Sequence, residues 1–298
     1  MAWDVVSKYK LDMTGSGDNT APLSLLAIDI ALLAADNRPL PKLVFSEGIC
    51  AFSQWPDLAY SRLHMAADGH CILKHIGAGN AVTIDGSLRG VGCWDYQFDG
   101  FTVQPGPKSQ HSLVLNEVHW SCFRKISAQG AGPPAGAIKF CGVRQNFCVA
   151  TRFDDYECIV QYRPDTVVSH DCIGMWLDGP IPSRAQVQNN GPTTQAFFTN
   201  PNICFCAIGF YLASSNNALI VNGAVQNCTD TGVVIAQGGY NKFMNMDLEE
   251  NKFDIRTVAG KAHSNKFWRP GNFSGYHVDL AGWNNTIVHD VQDGMFGM

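Results

Sequence analysis

Asparagine returns at a near-constant interval along the last third of the chain. Asn217 stands before Ala-Leu-Ile, Asn241 before Lys-Phe-Met, Asn265 before Lys-Phe-Trp and Asn285 before Thr-Ile-Val, at spacings of 24, 24 and 20 residues. A second series, Asn227 and Asn251, repeats the interval of 24. Between these marks lie short runs in which every second residue faces one way: Phe210 and Leu212, Val233 and Ile235, Ile255 and Thr257, Tyr276 and Val278. Such alternation reads as strand with one face buried. The stretch from Gly209 to Asp290 therefore lays out as successive turns of about two dozen residues, which is a repeat.

A coil of that size, holding two or three short strands, cannot bury its own apolar face, so successive coils must stack. The fold class this predicts is all-β, a single parallel β-helix. Asparagine suits its corners, because it tolerates the left-handed backbone and its amide can bond the amide of the next coil. A β-sandwich with evenly spaced strands is the competing layout, and it leaves the paired asparagine columns unexplained.

Composition agrees with strands and tight turns: only 16% of the 298 residues are charged. A net charge of −5 and the absence of any basic run argue against a nucleic-acid partner. No apolar stretch is long enough to span a membrane, and the opening MAWDVVSKYKLD lacks the apolar core of a secretory signal, so the chain reads as soluble and not exported by that route. Eleven cysteines is an odd number for a disulfide framework, and no C-x-x-C pair indicates zinc or redox work. Cys122, Cys148, Cys172, Cys206 and Cys228, at spacings of 26, 24, 34 and 22, are expected to form one interior column of buried, unpaired thiols.

Residues 1–62 read as an N-terminal lead-in with a capping helix, and 63–298 as the β-helix. Asp18 is the expected helix N-cap, the helix runs to about Ala35, and Pro39 and Pro41 stop it. Leu43 to Phe45 then form a strand, Glu47-Gly48 turn, and Ile49 to Phe52 extend again. A helix at the mouth of a solenoid covers the first coil, which otherwise exposes its core and strand edges.

Gly17-Asp18-Asn19-Thr20, the helix after it, and Leu43-Val44-Phe45-Ser46-Glu47-Gly48-Ile49-Cys50 resemble the opening of the pectate-lyase-like superfamily of right-handed β-helices, common in bacteriophage tailspikes and polysaccharide depolymerases. The match departs from the family pattern in having one aspartate where the family has two, and no Pro-Pro before Gly48. The resemblance implies a polysaccharide ligand, assembly as a homotrimer, and location on a virion tail or outside the cell without a secretory signal; a cytoplasmic location is the alternative.

No G-x-S-x-G, H-E-x-x-H, EF-hand or Walker signature is present, so the candidate site follows from position. Residues 178–202 interrupt the repeat, since Gly174 and its counterpart Gly209 are 35 apart, and a long loop on a solenoid lines a binding face. If Met175, Leu177, Phe210, Leu212, Val233 and Ile235 point inward, then Trp176, Tyr211, Val234, Arg256 and His277 point outward on one sheet. Trp176, Tyr211, Arg256 and His277 are the expected substrate-binding track, with Arg269 a further candidate for holding a uronate carboxylate or serving as a lyase base. Glycoside hydrolysis needs two carboxyl groups held roughly 5 to 9.5 Å apart. Asp247 and Glu249 leave a strand on the same side and are the leading pair; Asp154, Asp155 and Glu157, near Arg152, are the second cluster. Solvated turns are the competing explanation for both. His119, His170 and His277 are acid–base candidates because imidazole titrates near neutrality. The leading expectation is Asp/Glu-based hydrolysis of a bacterial capsule or exopolysaccharide without a cofactor; a non-catalytic carbohydrate-binding spike, and a uronate lyase that could use calcium held by Asp247 and Glu250, are the rivals.

Overall fold

A computed structural model describes residues 1–128, 141–159, 172–179, 191–268, 278–282 and 284–288. Among them the strand pairings are parallel throughout, in an eleven-stranded, an eight-stranded and a four-stranded sheet with short two-stranded ladders at the corners. Sheets of that kind arise when each turn of the chain lays its strands beside those of the turn before. The architecture is a right-handed parallel β-helix, and a sandwich, built from antiparallel sheets, is excluded.

One coil shows the plan. Phe197–Thr199 lies in the eleven-stranded sheet, Asn202–Cys204 in the four-stranded sheet, Ile208–Leu212 in the eight-stranded sheet, and Ser215–Asn216 in a corner ladder. The corners are made by single residues in the left-handed region: Asn200 at φ 53°, Phe205 at 59° and Asn217 at 56°. Ring stacking runs up the interior of the eleven-stranded sheet, with Phe123 on Phe153 at 4.7 Å, Phe153 on Phe198 at 5.3 Å, and Phe243 on Phe267 at 4.9 Å between centroids. Repeating one residue type at one register lets each ring meet an identical surface above and below.

The asparagine ladder exists among three of its four expected members, Asn241, Asn265 and Asn285, and Asn217 stands outside it. Asn241 donates to Asn265 Oδ1 at 2.9 Å, and Asn265 donates to Asn285 Oδ1 at 2.9 Å. Toward the N-terminus Asn241 meets the Ser215 carbonyl and the Ala218 amide, at 3.0 and 2.9 Å, and not Asn217. Leu219 pairs with Lys242, so this coil advances 23 residues where the asparagine spacing is 24, and Asn217 falls on the exposed left-handed corner. The same slip separates Asn227, at a corner with φ 56°, from the buried Asn251, which bonds Cys228 N–H and the Val225 carbonyl.

All eleven cysteines are free, and all but Cys122 are buried. They do not form one column. Cys172 and Cys206 touch, Sγ to Sγ at 3.9 Å, but Cys122 is half-buried on the eleven-stranded sheet beside Arg152 and Cys148 lies at the opposite corner near Thr193. Spacing located the coils without telling which corner each thiol occupies.

The N-terminal cap holds more than the expected helix. Ala2–Asp4 pairs with the start of Lys42–Phe52, a short helix spans Val5–Tyr9, and the main helix spans Thr20–Ala35. Asn19, not Asp18, is the N-cap residue; Asp18 sits one position earlier and accepts hydrogen bonds from Thr20 N–H and Ser53 N–H, both at 3.0 Å. Leu23, Leu26 and Ile30 plug the end of the core. The strand after the helix is continuous through Glu47-Gly48, with a bulge where a turn was expected.

The inserted segment is shorter than 178–202, because the stack has resumed by Thr193–Thr194, which pairs with Ser215–Asn216. Earlier coils are long as well. Val114 pairs with Arg144 and Arg144 with Trp176, advances of 30 and 32 residues, against 23 from Tyr211 to Val234. Residues 129–140, 160–171 and 180–190 lie outside the described residues.

Candidate functional site

Alternation along each strand of the eight-stranded sheet sends Val143, Met175, Leu177, Phe210, Leu212, Val233 and Ile235 into the core, every one fully buried. Their neighbours form an outward column in direct cross-strand register: Arg144, Trp176, Tyr211, Val234 and Arg256. Opposite Arg256 in the next coil stands Asp279, two residues beyond His277. His277, Arg269 and His170 lie outside the described residues.

The middle of this column is a charged and aromatic cluster. The Arg144 guanidinium lies 4.2 Å from the Trp176 ring centroid, and the Tyr211 ring meets Trp176 edge-on at 5.5 Å. Arg144 donates to Asp178 Oδ2 at 2.8 Å and to Asn146 Oδ1 at 3.0 Å, so its guanidinium is held in place over the indole. His111 approaches Trp176 from the side, at 6.4 Å. Burial, assisted by the Arg144 charge, pulls the His111 imidazole down to about 4, so it is neutral at physiological pH. At the far end, Arg256 donates to Asp230 at 3.1 Å and lies 3.6 Å from the Phe253 ring. Arg144, His111 and Asp178 were not singled out from sequence, because they precede the regular two-dozen spacing and their coils carry insertions.

Asp247 and Glu249 leave the four-stranded sheet on its outer side, with Leu248 buried between them. Gln226, in the preceding coil, donates from the same Nε2 to Asp247 Oδ2 and to Glu249 Oε2, each at 3.1 Å. Two such bonds to one nitrogen keep the carboxylate oxygens within two bond lengths of each other. Asp247 also lines a groove of about 490 Å³ along the neighbouring corner, with Asn200, Asn222 and Asn245 as its polar wall. Its Oδ1 is enclosed and has no hydrogen-bond partner among the described residues. This pair is in the same coil as Arg256 but around the corner formed by Glu250, at φ 55°. The aromatic column and the carboxylate pair therefore occupy adjoining faces, where a single groove was expected.

The second acidic cluster disperses. Asp154 is held by Arg152 Nε, at 2.8 and 2.9 Å, on the eleven-stranded sheet. Asp155 is a left-handed corner residue at φ 55° that accepts from Asn200. Glu157 faces out from the four-stranded sheet, where it accepts from Ser127 Oγ at 3.0 Å. Glu157 shares a cross-strand column with Asn202, Ala224 and Asp247, three strands from Asp247 and so about 14 Å away by the usual strand spacing. His119 is a packed corner ring against Trp94 and Phe147, and burial lowers its pKa. Among the described residues no three His, Cys, Asp or Glu side chains gather as a metal site.

No protein-family model and no characterised protein sequence matches this chain. Solved structures do. ORF18 of Geobacillus virus E2 superposes with a TM-score of 0.67 at 9% identity, over 96% of this chain and 60% of the viral one. PfbA, a surface adhesin of Streptococcus pneumoniae, superposes at 0.61 with 10% identity, over 97% and 74%. The A-module of mannuronan C-5 epimerase AlgE6 from Azotobacter vinelandii superposes at 0.51 with 11% identity, over 97% and 87%. The chain thus spans three fifths of the length of the viral protein. At these identities the likeness is one of fold: this chain is a parallel β-helix of the kind built by a virus protein, an adhesin and a polysaccharide-modifying enzyme.

Proposed function

We propose that the protein binds an extended bacterial polysaccharide, capsule or exopolysaccharide, on its lateral faces and cleaves it by glycoside hydrolysis at Asp247 and Glu249. The observation that carries this reading is the pair itself: two carboxylates tied to one Gln226 amide beside a groove. The shared amide keeps the two oxygens no further apart than two hydrogen-bond lengths, which excludes the widest part of the roughly 5 to 9.5 Å range used by two-carboxylate glycosidases, where one group protonates the leaving oxygen and the other attacks or activates water. Gln226 fixes both carboxylates without neutralising either. Trp176 and Tyr211 offer ring surface to a sugar chain on the adjoining face. A mannuronan epimerase of the same fold acts on a polysaccharide, which favours the substrate class.

The tailspike resemblance adds assembly as a homotrimer, which light scattering of the native protein checks as three chain masses. A non-catalytic spike is the second reading, favoured by the adhesin of the same fold. A uronate lyase is the third, with Arg144 of the outward column as the partner for the uronate carboxylate.

Incubation with a glycan panel, followed by sizing, separates them. Hydrolysis gives new reducing ends without ultraviolet-absorbing unsaturated ends. In Asp247→Asn and Glu249→Gln turnover should disappear while binding stays within about threefold, since the amides keep shape but cannot exchange the proton or attack. Full activity in both variants would remove the carboxylate pair from the reaction. Unsaturated products would transfer it to a lyase mechanism, and binding without any product would leave the spike.

A further inference from the structure

Two lysines stand directly opposite each other on the outer face of the eleven-stranded sheet: Lys242 pairs with Lys266 across one strand spacing. Both are exposed. Like charges placed face to face across adjacent strands are destabilising. Neither ammonium has a carboxylate partner within ion-pair distance among the described residues; the same holds for exposed Lys42 and Lys252, whereas exposed Lys8 and Arg152 each hold one.

The surroundings of the pair are aromatic. Two residues along the same strands, Met244 and Trp268 face each other, and the Lys266 ammonium lies 5.4 Å from the Trp268 ring centroid. On the other side Tyr240 is thrown outward by the corner, at φ 60° and 53% exposed, with its ring edge-on to His263 at 5.4 Å. The corresponding corners of neighbouring coils carry Asn217, Ser264 and Asn284, so the ring is particular to this coil. Tyr240, Lys242, Ser264 and Lys266 line a groove of about 620 Å³, within the usual range of a ligand pocket.

We infer that this groove is a binding station for an anionic sugar of a polysaccharide chain, a carboxylate-bearing pyranose whose acid group sits between Lys242 and Lys266 and whose apolar face lies on Tyr240 or Trp268. An anion between the lysines turns the cross-strand repulsion into two attractive contacts, and ring surface on either side takes the CH face of a sugar. Hydroxyl and amide groups at Ser264 and Asn284 border the same groove. The station lies on a different sheet from Asp247 and Glu249 and involves none of their partners. It deepens the polysaccharide reading by naming an acidic substrate class, and rests on that reading only for the ligand being a sugar chain.

The test is calorimetric titration of the native protein with oligomannuronate and oligogalacturonate hexamers, with maltohexaose as the neutral control. The hexauronates should bind and maltohexaose should not. Affinity should fall steeply as ionic strength rises from about 0.01 M to about 1 M, over which the screening length shrinks from roughly 30 Å to 3 Å. Lys242→Gln with Lys266→Gln should weaken hexauronate binding by about tenfold or more, with an unchanged or raised melting temperature in the ligand-free protein because the repulsion is gone. Tyr240→Ala should weaken it while preserving the salt dependence. Absence of hexauronate binding, equal binding of maltohexaose, or undiminished affinity in the double-lysine variant would each overturn the inference. Glycan cleavage that depends on Asp247 and Glu249 without uronate affinity would sink this station and leave the proposed function standing; uronate affinity in a protein that cleaves nothing would do the reverse.

Discussion

Asn241 spends its whole side-chain amide inside the stack. Its Oδ1 accepts from Ala218 N–H and Ser215 Oγ, and its Nδ2 donates to the Ser215 carbonyl and to Asn265. In Asn241→Leu these buried groups lose their partner, which should cost about 1 to 3 kcal/mol and lower the urea midpoint correspondingly; an unchanged midpoint would show the ladder to be energetically idle. His111 gives a pH-dependent counterpart. Its folded value of about 4 lies below the ordinary 6.5, so between these values the unfolded chain carries a proton that the folded one does not. Stability from this group is complete above about pH 6.5, declines as pH falls toward 4, and is level below that, a loss of about 3 kcal/mol at most. His75 and His119 shift the same way through burial, so the comparison that isolates His111 is the acid limb of His111→Gln, which should be shallower than that of the parent. At this scale the sequence disclosed that asparagine recurs but not which asparagine turns inward. Asn217 and Asn241 look equivalent at 24 residues, yet a coil of 23 places one on an exposed left-handed corner and the other in the ladder.

Strands of the eight-stranded sheet carry a column of closely packed glycines: Gly142, Gly174, Gly209 and Gly232, one per coil. A Cβ at Gly174 would strike Ile203, and one at Gly209 would strike Val225, both fully buried. Gly209→Ala should therefore destabilise the protein by the 1 to 3 kcal/mol typical of overpacking, read as a lower melting temperature with unchanged far-ultraviolet dichroism; a neutral result would mean that the corner is looser than its contacts imply. The period-two pattern was enough to read which side chains of a strand face out, so Trp176, Tyr211, Val234 and Arg256 could be aligned without a structure. It could not say which way the chain bends between strands. Asp247 and Arg256 are nine residues apart and belong to one coil, but the corner at Glu250 to Lys252 turns them onto different faces. Arg144, His111 and Asp178 escaped for a related reason: coils of 30 to 35 residues hide the repeat that makes register visible.

A solenoid transmits stability from coil to coil and has an exposed face at each end, so the molecule as a whole depends on how the ends are closed. At the N-terminal end the strand Lys42–Phe52 is paired along its inner side with His64–His75, but its outer side is covered only over Lys42 to Val44, by Ala2 to Asp4, with one further bridge from Thr14 to Ile49. The helix Thr20–Ala35 covers the core end with Leu23, Leu26 and Ile30, and Asn19 locks it to the edge strand through the Ala51 carbonyl at 3.1 Å. Asp18 ties the helix start to Ser53, and hydroxyl and amide donors from Ser53 and Thr20 hold its carboxyl down at about 2, so this latch stays charged until strongly acid pH. Removal of residues 1–41 would leave Leu43, Phe45 and Phe52, all fully buried in the intact protein, at an open end beside an unpaired strand. The truncated protein should therefore aggregate or join end to end, appearing in light scattering as mass that grows with concentration, while the intact protein keeps a fixed mass. The intermediate substitution Leu26→Asp, which leaves the strand pairs in place but drives a charge into the plug, should lower the melting temperature without end-to-end growth, separating loss of core cover from exposure of the edge. A truncated chain that stays dispersed and melts as the parent does would show that the first β-coil closes itself.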